Sequence, residues 1–209
     1  MATIRSLSDR FPSDRRLTDW GSRPTPRVRL DRNGPFERVI SWATRRIYGK
    51  VLDPVKASFH HRGALTTSLV MEATASRWKK LPEDLQALAV MSSAREIGCS
   101  WCMDFGYWEF HHRGVEPRKL REIEHWRTSD AYTPLERAVV AYAVAATQTP
   151  SAVTDEMVED LRPGLSEAQI VELAALVSLE NYRSRINAGL GLSSQGFKEQ
   201  CDLPSEQAR

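Results

Sequence analysis

Residues 81–115 read LPEDLQALAVMSSAREIGCSWCMDFGYWEFHHRGV, and the fold turns on how this stretch divides. Pro82 opens a helix on which Leu85, Leu88, Ala89, Ser92 and Ile97 recur at helical spacing. Glu83 and Asp84 fall in its first turn, where the helix dipole favours negative charge. Gly98 is a poor interior residue and a good C-cap, so the helix breaks there. Cys99 and Ser100 open a second helix, which runs to about Arg113 before Gly114 ends it. Two of the three cysteines therefore sit at a helix–helix junction, two residues apart.

That spacing lets two sulfurs meet across one turn and close a disulfide with little backbone movement. A helix start also favours thiolate over thiol, which predicts a stabilised thiolate at Cys102 in the first turn. Other readings compete with a redox dithiol. A structural zinc site needs two more ligands; only His111 and His112 follow closely, Cys201 is distant, and no second Cys-x-x-Cys exists. No metal and no cofactor are therefore expected. A buried, inert pair is the other competitor, since free cysteine behaves as a small hydrophobe. A thioredoxin-like reading fails because no strand-rich pattern precedes the motif. Two carboxylates lie close enough in sequence to act as general bases: Glu96, three residues before Cys99, and Asp104, two after Cys102. Against that role, a carboxylate beside a thiol raises the thiol's pKa.

The rest of the 209 residues surrounds this junction. Residues 1–34 form an irregular arm punctuated by Pro12, Pro24, Pro26, Asn33 and Gly34, with Leu17 and Trp20 as anchors. Residues 1–50 carry 12 Lys and Arg against 5 Asp and Glu, whereas the whole chain nets only +2. The arginines of the arm are interleaved with Asp9, Asp14, Asp19 and Asp31, and no recognition helix is evident. The arm is expected to wrap its own acidic body or a neighbouring subunit rather than nucleic acid. With no membrane-length apolar run and no apolar signal core, a cytoplasmic protein without membrane contact is expected.

Helices are predicted from Pro35 to Tyr48, stopped by Gly49; from Gly63 to Lys79; and from Pro117 to Trp126, with a helix or turn over Pro54–His61. Thr133-Pro134-Leu135-Glu136 is a capping box opening a helix to about Thr147. Thr154 and Ser166 start two more, the second reaching about Ala188. A single helical domain over 35–197 and a tail over 198–209 complete the chain. No period-2 pattern stands out, so the expected fold is all-α, a bundle of about eight helices.

With a Gly-Cys-x-x-Cys junction, an apolar helix before it, Gly114 ending the helix after it and a Glu116-Pro117-x-x-Leu120 helix start, the stretch from about Pro54 to Trp126 resembles the carboxymuconolactone decarboxylase family, in its alkylhydroperoxidase (AhpD-like) branch. The resemblance implies an all-helical homo-oligomer, a trimer or hexamer. It implies a thiol-dependent peroxidase cycling between dithiol and disulfide, with Cys102 attacking a hydroperoxide or other small substrate, Cys99 resolving it, and an external thiol or dithiol as reductant. The pattern departs at two positions. The relay histidine four residues after the second cysteine is Gly106, and the relay glutamate twelve residues before the first is Ala87. This predicts inefficient peroxide reduction unless Glu96 or Asp104 substitutes. The alternatives on the same fold are a redox-sensing or assembly protein, and a lyase or isomerase using Arg183 and Arg185, or Arg45 and Arg46, to hold a carboxylate.

Overall fold

The computed structural model describes residues 25–201. The expected anchors Leu17 and Trp20, most of the basic arm and the tail beyond Cys201 lie outside the described residues. The described chain is all-α, with nine α-helices and no strand among those residues.

Helix α4 (Glu83–Ile97) is the axis. All ten residues from Leu85 to Ala94 are buried, the mark of a helix that packs on every side. Its Ser92 and Ser93 hydroxyls are satisfied within the helix by the carbonyls of Leu88 (2.5 Å) and Ala89 (2.8 Å). Around it pack α5 (Ser100–His112), α7 (Pro134–Thr147) and α9 (Glu167–Gly189). The expected Thr133–Glu136 capping box is present, and Ser166 opens α9 with its amide donating to Gln169 Oε1 (2.8 Å). Glu172 of α9 accepts the backbone amides of Lys80 and Leu81 (both 3.0 Å), pinning the entry of α4.

Helix α1 (Pro35–Tyr48) ends as predicted, at Gly49 with φ +72°. Two helices follow it, α2 (Asp53–Ser58) and α3 (Arg62–Ala75). The latter stops before the expected Lys79 because the chain turns at Ser76–Trp78, where the amide of Trp78 donates to Ala75 O. The expected Pro117–Trp126 helix is a five-residue α6 (Pro117–Arg121) that tightens into a 3-10 turn over Glu122–His125. Helix α8 (Asp155–Leu161) is capped by Thr154. The arm's last residues do fold back on the body: Arg27 Nη1 donates to the carbonyls of Ala188 (2.9 Å) and Gly189 (2.7 Å), at the negative end of α9.

Along α1, Phe36, Val39, Trp42 and Ile47 are exposed, as are Leu69 and Val70 of α3. Of the apolar stripe that Phe36, Val39, Ile40, Ala43 and Ile47 form at helical spacing along α1, most therefore lies on the surface of the single chain.

Candidate active site

Gly98 ends α4 in the left-handed conformation at φ +81°, which a glycine adopts without a Cβ penalty. The chain then reverses so that Cys99 becomes the N-cap of α5. Cys99 and Cys102 are joined by a disulfide with Cα atoms 5.3 Å apart. The amide of Cys102 donates to Cys99 Sγ (3.2 Å). The helix-start amide therefore serves Cys99, not Cys102 as the sequence suggested, because an N-cap side chain accepts from the third helical residue. Cys102 Sγ instead accepts from a side chain the sequence did not single out, Asn187 Nδ2 at 3.3 Å, reaching across from α9.

Both sulfur residues are buried, Cys99 at 1% and Cys102 at 5% exposure. They share a cluster with Leu52, Ala94, Trp101 and Phe197. Phe197 meets Phe105 edge-on at 5.3 Å, and Phe105 stacks on Trp101 at 4.9 Å. Lys50 lies over the Phe197 ring (5.0 Å). A cavity of about 320 Å³ opens along α5, lined by Ser100, Met103, Asp104 and Tyr107 of that helix and by Met91 and Arg121, and neither cysteine is among its lining residues.

Asp104 is brought to this region, but its carboxylate is occupied. Oδ2 accepts the amides of Gln195 (2.8 Å) and Phe197 (3.0 Å), and Oδ1 accepts that of Lys198 (2.7 Å). It holds the turn that seats Phe197. Gln195 adds a second tie, accepting from Trp101 Nε1 (2.8 Å) and the Asp53 amide (2.9 Å) through Oε1. Glu96 is exposed on the last turn of α4. His111 and His112, weighed against zinc at the cysteine pair, gather instead with Cys201, their ligand atoms all within 4.8 Å of one another.

The two relay positions are occupied by apolar packing. Ala87 is fully buried in the core. At Gly106 an added Cβ would stand 2.8 Å from Met91 Sδ, so the Met91 side chain fills the space a larger residue would take. Met91 lies one turn after Ala87 on α4.

One buried acid does lie on the helix that meets Cys102. Glu180 of α9 is driven up from 4.5 to about 7, first by burial, against the opposing pull of Arg183 and Ser184. Arg183 is itself held above its ordinary value although burial acts to lower it, because Glu72 grips it through two bonds (2.7 and 2.5 Å) and Glu180 touches it at 3.4 Å. The two partners thus disagree: pairing wins for the arginine and desolvation for the acid. The geometry accounts for it, since Arg183 is committed to Glu72 and leaves Glu180 under-compensated. Arg183 is thus a structural link between α3 and α9.

The sequence pattern of the carboxymuconolactone decarboxylase family matches residues 64–145. Over those residues the chain is similar to this family. The matched segment spans α3 to most of α7, starting and ending later than the 54–126 region expected from the residues. Among curated proteins, the uncharacterized protein YnjA of Escherichia coli K12 is 27% identical over 176 residues, covering 82% of this chain and 93% of YnjA. Among solved structures, an uncharacterized peroxidase-related protein from Silicibacter sp. TM1040 superposes with a TM-score of 0.72 at 15% identity, over 85% of this chain and 97% of that one. The debrominase Bmp8 superposes at 0.69 and 21% identity, over 84% and 94%. A cysteine-to-alanine form of Bmp8 bound to 2,3,4-tribromopyrrole gives 0.70 at 20% identity, over 87% and 96%. These likenesses show an AhpD-like fold. Among the described residues, no helix is long and apolar enough to cross a membrane.

Proposed function

We propose that the protein is a thiol oxidoreductase cycling Cys99 and Cys102 between dithiol and disulfide. The observation that carries this reading is the bonded pair at the α4–α5 junction. In the forward step the Cys102 thiolate attacks the terminal oxygen of a hydroperoxide, giving a sulfenic acid and an alcohol. Cys99 then condenses with the sulfenic acid, releasing water and forming the disulfide. A dithiol reductant of small size breaks that bond by exchange and becomes a disulfide itself. Asp104 contributes by positioning the turn over the pair, and Glu96 stands outside it.

Peroxide consumption with dithiothreitol as donor tests the reading. The wild type turns over, Cys99→Ser is slowed at disulfide formation, and Cys102→Ser is inactive. Unchanged consumption in Cys102→Ser overturns it. Reversible loss of two thiols per chain without turnover would move the assignment to redox sensing on the same fold.

A second reading is reductive removal of a halogen, in which the dithiol and an aryl bromide give the disulfide, the arene and hydrogen bromide. It is favoured by the fold shared with the debrominase; bromide leaves as an anion, and the proton that replaces it on the ring comes from one of the two thiols. Release of bromide from a bromopyrrole, lost in Cys102→Ser, would select it. The exposed apolar face along α1 and α3 fits the expected homo-oligomer, which sedimentation would measure.

A further inference from the structure

Helix α9 turns one buried polar face towards α5. Glu180, Ser184 and Asn187 stand on it at spacings of four and three residues, with exposures of 2%, 0% and 3%. Ser184 Oγ donates to Glu180 (2.6 Å). At the near end, Asn187 Nδ2 donates to Cys102 Sγ (3.3 Å). A primary amide this deep is costly unless its donors find acceptors. A disulfide sulfur is a weak acceptor, whereas a thiolate is a full anion, and hydrogen bonds to ions are about twice as strong. The contact therefore strengthens when Cys102 becomes S⁻. From α4 no such help comes, because Ala87 and Met91 fill the places of an acid and an imidazole.

We propose that Asn187 is a catalytic residue whose amide holds Cys102 as a thiolate once the disulfide is reduced, in place of the polar pair missing at positions 87 and 106. The proposal rests on the reading that the pair cycles. A dithiol reductant breaks the S–S bond, forms its own, and leaves two electrons and two protons on Cys99 and Cys102. Cys102 then gives its proton to water and keeps the electron pair, with Asn187 Nδ2–H donating to the sulfur. Cys99 keeps its own donor, the Cys102 amide.

The charged and titratable groups around this face are Glu180 and Arg183 of α9, Glu72 of α3, Glu109 and Arg113 of α5, and Tyr48 of α1. Glu180 is the one beside Ser184, and its negative form opposes a thiolate on the same face.

The test uses the full chain with Cys99→Ser and Cys201→Ser, which leaves Cys102 as its single thiol, and follows thiolate absorbance near 240 nm against pH. The Cys102 thiol is expected to titrate below the ordinary value of about 8.5 despite its burial, which alone would raise it. Adding Asn187→Ala is expected to cut the thiolate fraction at neutral pH about tenfold. Asn187→Asp, closer in shape, is expected to cut it further. A titration at or above about 8.5 in the parent overturns the proposal without any variant at 187, and so does an unchanged curve in a folded variant. If the thiol titrates low and responds to position 187 while peroxide is not consumed, the peroxidase reading fails and the role of Asn187 stands.

Discussion

Replacing Glu180 by glutamine should change how stability depends on pH more than it changes the fold. Glu180 is fully buried, and its carboxyl is raised from 4.5 to about 7, chiefly by desolvation. A carboxyl raised on folding binds its proton more tightly in the native state than in the unfolded one. Its contribution is therefore most favourable below about 4.5 and is lost as pH climbs through about 7. At about 1.4 kcal/mol per pH unit, the interval corresponds to about 3 kcal/mol. Glutamine keeps the shape and an acceptor for Ser184 Oγ but cannot ionise. Urea unfolding at pH 5 and pH 8, at one chain concentration, should show wild type losing about 2–3 kcal/mol more than Glu180→Gln across that span. Every other titratable group is common to both proteins and cancels in the comparison. Parallel pH dependences in the two proteins would refute the argument and would mean that Arg183 neutralises the acid fully.

Asp104→Ala removes the acceptor of three backbone amides and should cost about 2–4 kcal/mol by urea unfolding, with Phe105 and Phe197 reporting through near-ultraviolet dichroism. Gly106→Ala should cost about 1–3 kcal/mol by crowding Met91, and the double variant with Met91→Ala should show the two changes to be non-additive in a mutant cycle. Gly98→Ala forces a side chain into the left-handed region at φ +81° and should lower stability by about 1–2 kcal/mol in thermal unfolding. Thr133→Ala removes half of a capping box and should cost about 1 kcal/mol in the same assay.

Helix ends were readable from the sequence because their determinants are local. Pro35 and Gly49 bracket α1, Gly98 separates α4 from α5, and Thr133 and Ser166 open α7 and α9. The cysteine pair was readable for the same reason, its geometry spanning one turn. What surrounds the pair was not. Asn187 meets Cys102 across 85 residues, Gln195 meets Trp101 across 94, and Asp104 meets the 195–198 turn across more than 90. Such contacts depend on how α5 and α9 are registered, and no spacing rule within either helix reveals that. Asp104 drew notice for its nearness to a thiol, yet its partners are amides of the distant turn. The apolar stripe of α1 shows the converse limit. Periodicity marks a face that seeks a partner and is silent on whether that partner lies in the same chain.

The turn at 195–198 has a kinetic consequence. Phe197 sits in the same packed cluster as both sulfurs, and three amides bound to one carboxylate keep it there. Both sulfur residues are at most 5% exposed, so a reagent reaches the bond only when that latch lifts, and its rate has a ceiling set by local opening rather than by collision. Beyond a modest concentration, adding more oxidant or reductant no longer speeds the reaction.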